Sequence, residues 1–321
     1  MTGEQELCGL LVVDKPQGIT SHDVVDRIRQ LYGLSKVGHS GTLDPAATGL
    51  LVLGLGRATR LLSFLQGLPK AYRAQINFGT ATSTQDATGE VTATRPCSLT
   101  AEQLEAALTK FTGEIEQVPP MVSAVKVGGR RLYKAARIGL EVERKPRRVH
   151  VYQFTIERFD PETFTATALI KCSSGTYVRT LAHDLGEKVG CGAHLATLRR
   201  TRIGSFAEHE AWHLEDLEDM EEKQRLSLIM PMGKAMRDFP SITVKGADAK
   251  AVTHGQPLPL ELAPHRDGEL PVTSAVRVGQ APAHEVGMTA GVPVAVFDGA
   301  GSLIAVYRRS SKSLKPAAVL V

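Results

Sequence analysis

Apolar and polar positions fall into blocks along the chain, and each block has its own period. Gly9 to Val13 is a short apolar run closed by Asp14-Lys15-Pro16-Gln17-Gly18, which predicts a buried strand ending in a turn. Thr20 or Ser21 can cap the helix that follows, with Val24, Ile28 and Leu31 on one face. Leu50 to Leu53 predicts a second buried strand, and Tyr72 to Phe78 an alternating one. Thr100 and Gln103 form a capping-box pair ahead of Leu104, Leu108 and Phe111, and Gly113 is placed to stop that helix. Val149 to Phe159 and Phe164 to Cys172 predict neighbouring strands joined by Asp160-Pro161-Glu162-Thr163. Ser173-Ser174-Gly175-Thr176 then opens a helix bearing Val178, Leu181, Ala182 and Leu185.

Strands and helices mix without a steady βαβ repeat. The expectation is an α+β fold with a mixed, mostly antiparallel sheet flanked by helices. The texture changes between Met230 and Pro240. Beyond it the chain is rich in Gly and Pro, with short β-like runs at Ser241 to Lys245, Pro271 to Val278, Val292 to Phe297 and Leu303 to Arg308. Asp298-Gly299 can turn the last two into a hairpin. These runs predict a small β-barrel of about 80 residues, and a division into units 1–235 and 236–321.

Composition narrows the class. Of 321 residues, 42% are hydrophobic and 22% charged, as in an ordinary globular protein. No apolar run approaches the roughly 20 residues that cross a bilayer. Met1 to Glu6 is polar and lacks the order of a secretion signal, so a cytoplasmic protein is expected. The four cysteines make no CxxC pair and the ten histidines no HExxH, so the expected site holds no metal. Gly54-Leu55-Gly56-Arg57-Ala58-Thr59 is neither a GxGxxG nor a phosphate-binding P-loop.

The net charge is only +4, but its distribution is uneven. Arg130, Arg131, Lys134 and Arg137 cluster, followed by Arg144, Lys145, Arg147 and Arg148, and then by Arg199, Arg200 and Arg202. Acidic residues gather instead between Glu215 and Glu222. A basic face that tracks phosphates has this pattern, as do solvated helix faces.

The chemistry centres on Gly38-His39-Ser40-Gly41-Thr42-Leu43-Asp44-Pro45-Ala46-Ala47-Thr48-Gly49. Gly and Pro preset a tight loop that presents Asp44 at the edge of a core, as a nucleophile or base requires. Read alone, Asp44 is equally a turn aspartate bonded to its own backbone. The wider segment decides between these, because it closely resembles the catalytic loop of the TruB family of pseudouridine synthases. Other segments resemble the family in order: Lys15 to Ser21, Gly56 to Arg60, Lys70 to Ala74, Asp86-Ala87-Thr88-Gly89, Pro119-Pro120, Ser123 to Lys126, Gly129 to Tyr133, Ser174 to Arg179 and Leu198 to Gly204.

The resemblance implies a pseudouridine synthase fold with a C-terminal PUA-like barrel. It implies isomerisation of uridine to pseudouridine at position 55 in the T-arm loop of tRNA, with no cofactor. Asp44, Tyr72 and Arg179 match the family's catalytic positions: the acting carboxylate, a stacking tyrosine that can move a proton, and the arginine that pairs with the aspartate. His39 matches a histidine that stacks against the opened RNA loop. Tyr177 and Leu198 would pack around the uracil. Lys15 joins the expected substrate-binding set. Arg60, Arg130, Arg131, Arg199 and Arg202 are expected phosphate contacts, from charge and context. Arg308, Arg309, Lys312 and Lys315 can reach RNA or simply solubilise a sheet edge. The expected partner is tRNA alone, met by a monomer that works without a guide RNA or an obligatory protein partner.

Overall fold

The computed structural model describes residues 7–121, 126–127, 130–131, 143–262 and 291–321. In chain order the first half runs β1 (Gly9–Lys15), α1 (Ser21–Leu31), β2 (Val37–His39), β3 (Thr48–Leu55), α2 (Leu62–Gly67), β4 (Lys70–Phe78), β5 (Thr80–Thr82), β6 (Val91–Thr94), α3 (Ala101–Leu108) and β7 (Gly113–Gln117). Next come β8 (Lys126–Val127), β9 (Arg130–Arg131), β10 (Arg147–Asp160), β11 (Thr165–Cys172), α4 (Val178–Val189), β12 (Ala193–Ile203), β13 (Phe206–Ala207), β14 (Trp212–His213), α5 (Leu214–Asp219) and α6 (Glu222–Ser227). The C-terminal part holds β15 (Ser241–Thr243), α7 (Gly246–Thr253), β16 (Pro293–Phe297), β17 (Leu303–Arg309) and β18 (Leu314–Val319).

A ten-stranded mixed sheet organises the molecule, in the order β14-β1-β3-β12-β4-β11-β10-β7, with β2 and β13 attached at β3 and β12. Only β1–β14 and β3–β12 are parallel, which matches the expected α+β class. One core lies where α3 and α4 cover β4, β10, β11 and β12, and it contains Ile76, Phe154, Ile170, Leu181 and Leu185. A second packs α1 onto β1 and β3 through Val24, Ile28, Leu11 and Leu51. A third, on the other side of β1 and β3, joins Leu10, Val12, Leu50 and Val52 to Phe64 and to Ala295, Val306 and Leu320 of the C-terminal strands.

The helix signals in the sequence are realised locally. Thr20 caps α1 in a capping box with Asp23, and Thr100 caps α3 with Gln103. Helix α3 ends earlier than the Gly113 stop suggests. Its last turn tightens over Thr109–Phe111, and Gly113, at φ 93°, turns the chain into β7 instead. Strand β12 has no counterpart among the sequence expectations, although it is a central strand of the sheet.

Among the described residues the C-terminal strands do not close into the expected barrel, and residues 263–290 lie outside the described residues. The described strands form an open four-stranded sheet, β15-β16-β17-β18, with β15 parallel to β16. Strand β18 and helix α7 were not expected. The Asp298-Gly299 hairpin is present, with the Asp298 carboxylate accepting from the backbone N–H of Ala300 and Ser302, each at 2.9 Å. The expected strand over Pro271 to Val278 lies outside the described residues, as do Met1 to Glu6, Ser123 to Val125, Gly129, Leu132 to Lys134 and Arg137.

Candidate active site

The segment Gly38 to Gly49 connects β2 to β3, and the protein grips it from several directions. The Ser40 N–H donates to Val52 at 2.9 Å, and the Gly18 N–H to the Pro45 carbonyl at 2.8 Å. Ser21 Oγ accepts from the Leu43 N–H at 2.8 Å. The loop ends at Gly49, whose φ of +103° and close approach to β12 exclude a side chain: a Cβ there would sit 2.4 Å from the Arg200 carbonyl oxygen.

Two buried cations complete the grip. Lys15, fully buried, donates to the carbonyls of Pro16 (2.8 Å), Ile19 (2.7 Å) and Pro45 (3.3 Å). Burial pulls its pKa down to about 8, against the raising influence of Asp44, so at neutral pH it is still mostly a cation. Arg200, 1% exposed, donates to Leu50 O (2.8 Å), Gly41 O (3.0 Å) and Thr42 O (3.4 Å).

Asp44 emerges from this frame with its carboxylate 3.2 Å from Arg179 Nε. Its side chain keeps 45% of its surface open, whereas that of Arg179 keeps 6%. The acid is therefore partly open while its partner is enclosed. Desolvation raises the Asp44 pKa; Arg179 and Lys15 oppose that, and the like charge of Asp86 adds to it.

Arg179 is the second residue of α4. Its Nη1 donates to Asp86 Oδ2 at 3.1 Å, so one guanidinium bridges two carboxylates. Asp86 is buried, which alone would raise its pKa. Hydrogen bonds from Thr88 Oγ1 (2.6 Å), Thr84 Oγ1 (2.7 Å) and the Thr88 N–H (3.0 Å), together with Arg179, outweigh burial and hold it below the ordinary value. Asp86 is thus a fixed anion behind Arg179. Sequence reasoning missed this role: Asp86-Ala87-Thr88-Gly89 stood among the segments that resemble the family, with no part assigned to its carboxylate.

Tyr72 lies on β4 opposite Arg200 of β12 and Ile170 of β11. Burial lifts its phenol pKa to about 12, with Arg200 opposing, so the hydroxyl keeps its proton at neutral pH. Leu198 stands opposite Ala74, two residues from Tyr72 on the same face, because side chains alternate along a strand. Tyr177 precedes α4, and the buried Gln117 clamps its backbone: the Tyr177 N–H donates to Gln117 Oε1 (3.0 Å) and Gln117 Nε2 to the Tyr177 carbonyl (3.2 Å). Gln117 carried no sequence signal. His39 Nδ1 accepts the Gly41 N–H at 3.2 Å, and burial depresses its pKa, so the ring is neutral with its proton on Nε2.

Three expected RNA contacts have protein partners instead. Lys15 is sealed under the Asp44 loop. Arg60 Nη1 donates to the Val319 carbonyl at 2.6 Å, tying its turn to the C-terminal sheet. Arg199 stands opposite Arg73, on the sheet face away from Tyr72. It grips Asp14 with both Nη atoms (3.0 and 2.7 Å) and Glu208 with Nε (2.9 Å). Arg202 is partly buried and, among the described residues, forms no ion pair. Arg130 and Arg131 form β9 of a small hairpin with β8, and their side chains lie outside the described residues.

One mixed sheet thus carries both an ion-paired aspartate on a Gly/Pro loop and a tyrosine. Two solved structures are similar to nearly the whole chain. A Cbf5-Nop10-Gar1 complex aligns with a TM-score of 0.73 and 27% identity, over 98% of this chain and 85% of that one. An H/ACA RNP bound to a substrate RNA containing 2′-deoxyuridine aligns with a TM-score of 0.69 and 25% identity, over 98% and 85%. The model for the TruB family pseudouridylate synthase N-terminal domain matches residues 29–178, and that for the tRNA pseudouridylate synthase B C-terminal domain matches 179–237. The tRNA pseudouridine synthase B of Syntrophotalea carbinolica is 47% identical over 250 residues, covering 78% of this chain and 81% of that protein. The protein of the same name from Ralstonia nicotianae is 44% identical over 292 residues, covering 89% and 91%. The chain belongs to the TruB family.

Proposed function

We propose that this enzyme converts uridine to pseudouridine at position 55 in the T-arm loop of tRNA. The single observation that carries the reading is the Asp44–Arg179–Asp86 linkage, which leaves the Asp44 carboxylate partly open while Arg179 and Asp86 behind it are buried. The target base leaves its stack and comes to Asp44. The bond from C1′ to N1 breaks, the base turns, and C1′ joins C5; C5 then loses its proton and N1 gains one. Nothing is added or lost overall, so the reaction needs no cofactor.

Asp44 acts as the anionic group on the nucleoside. Arg179 keeps it ionised and aimed, since a guanidinium never gives up its charge at working pH. Tyr72 stacks on the base, and its protonated hydroxyl serves proton transfer. Tyr177 and Leu198 enclose the uracil, and His39 stacks against the RNA loop. Arg202, Arg130 and Arg131 meet phosphates. Residues 1–235 form the catalytic unit, and 236–321 an RNA-binding unit. The enzyme acts as a monomer in the cytoplasm; among the described residues no helix is long and apolar enough to cross a membrane.

The test is incubation of the purified protein with an unmodified tRNA transcript, followed by chemical mapping of pseudouridine. Product at the T-arm uridine without added RNA or protein is expected, and it should vanish in Asp44→Asn while tRNA binding persists. Near-normal yield from that variant would remove Asp44 from the chemistry. A requirement for guide RNA would refute the stand-alone reading.

A further inference from the structure

Arg200 is the bulkiest of the fully buried side chains among the described residues. Its hydrogen-bond partners are the backbone carbonyls of Leu50, Gly41 and Thr42 and the Tyr72 side chain, and no carboxylate pairs with it among the described residues. A guanidinium enclosed without a counter-ion is costly, and an apolar side chain would fill the space at less expense. Its position suggests why it is there. On one edge Arg200 stands opposite Tyr72 of β4; on the other it stands opposite Gly49, where the Asp44 loop feeds β3. Strands β3 and β12 pair over only two residues, Thr48 with Arg199 and Gly49 with Arg200. The join between the half of the sheet that carries the Asp44 loop and the half that carries Tyr72 is therefore short. At this join Arg200 reaches into the loop and holds Gly41 and Thr42 by their carbonyls and β3 by Leu50.

We propose that Arg200 is a positioning residue for the isomerisation, a strut that fixes the Asp44 loop against the strand bearing Tyr72. It acts through the Asp44 loop and through Tyr72, and does not itself touch the substrate. Its function is to set the spacing between the carboxylate that acts on the nucleoside and the hydroxyl that serves the base. This rests on the reading above, that Asp44 and Tyr72 act on one uridine. The planar fork explains why the residue is arginine: its nitrogens diverge toward Leu50, Gly41 and Thr42 at once, whereas a lysine offers one ammonium at one point. Because Arg200 is an acceptor-free cation facing Tyr72, the burial that raises the phenol pKa and the guanidinium that opposes it meet at one contact. A shifted loop would change proton transfer along with the carboxylate's aim.

The experiment uses the full chain and an unmodified tRNA transcript carrying either protium or deuterium at uridine C5. In single-turnover reactions Arg200→Lys should slow product formation by about 100-fold, the scale of a misplacement near 1 Å, and leave the tRNA Kd within about threefold. The C5 isotope effect should rise above the wild-type value. A rate within about threefold of wild type overturns the proposal. So does a loss carried by Kd, or a slow rate with an unaltered isotope effect, which marks general loosening. A second measurement is independent of whether the variant folds. In the wild-type protein the Arg200 Nε–H, donated to Leu50, should give a nitrogen–proton resonance that exchanges with solvent far more slowly than those of surface arginines; exchange at the surface rate overturns the strut. Failure of the underlying functional reading is recognised separately, as a wild-type protein that makes no pseudouridine in the same transcript.

Discussion

The carboxylate of Asp44 must be charged to act, and its surroundings make that harder. Burial raises its pKa, Asp86 adds to the effect, and Arg179 and Lys15 only oppose it. A raised carboxylate pKa means that the active, ionised form is lost at a higher pH than for a free aspartate. The acid limb of kcat/KM should therefore lie above the ordinary value of about 4, falling tenfold per pH unit below it. Asp86→Asn removes the like charge and the carboxylate that competes with Asp44 for Arg179, and both changes lower the Asp44 pKa. That variant should move the acid limb to lower pH. It should also reduce kcat by about 10- to 100-fold, because Arg179 loses the anion that fixes it. A pH–rate profile of the two proteins checks both statements; an acid limb that stays put in Asp86→Asn would show that the two carboxylates do not communicate. Asp44, Tyr72 and Arg179 were legible as residues because their segments resemble a family. The groups behind them were not. Asp86 and Gln117 act through partners 93 and 60 positions away, and nothing local marks such pairs.

At the scale of elements, the signals that could be read are those completed within a few residues. The capping boxes at Thr20 and Thr100 close over three positions, and α1 shows an apolar stripe. Strand β12 escaped notice because Leu198-Arg199-Arg200-Thr201-Arg202 looks like surface. Its charges are neutralised by partners that only the fold supplies: Asp14 and Glu208 for Arg199, loop carbonyls for Arg200. Helix α7 was invisible for a different reason, since Val252 is its one buried residue and there is no stripe to find. The short β3–β12 join gives this scale its prediction. Gly49→Ala would force a methyl against the Arg200 backbone at a left-handed φ. The strands must part or the loop must shift, and either costs about 2 kcal/mol or more. Thermal melting should show a drop of several degrees, well beyond that of Thr100→Ala, where only a cap worth about 1 kcal/mol is lost. Equal melting points for the two variants would mean the join is not under the constraint described.

Across the whole molecule, the question is which arginines are available to RNA. Sequence clustering treats Arg199 and Arg202 alike, and the structure separates them. Arg199 holds two carboxylates, Asp14 with 8% of its side chain exposed and Glu208 with 47%, so the site as a whole carries no surplus positive charge. A phosphate arriving there would have to displace a bidentate pair. Replacing Arg199 by Glu would leave the buried Asp14 beside a second negative charge. The expected loss is about 1–3 kcal/mol of stability, the cost of leaving the buried Asp14 carboxylate unsatisfied, discounted because Arg199 itself is more than a third exposed, with little change in how tRNA affinity responds to salt. Among the described residues Arg202 pairs with no carboxylate. Arg202→Glu should leave the melting temperature within a few degrees and weaken tRNA binding, and it should flatten the plot of log K against log salt by about one unit of slope, the share of one phosphate contact. Melting curves and binding measured across a potassium chloride series separate the two substitutions. If Arg199→Glu flattens the salt slope while the protein stays folded, RNA reaches the face of the sheet away from Tyr72.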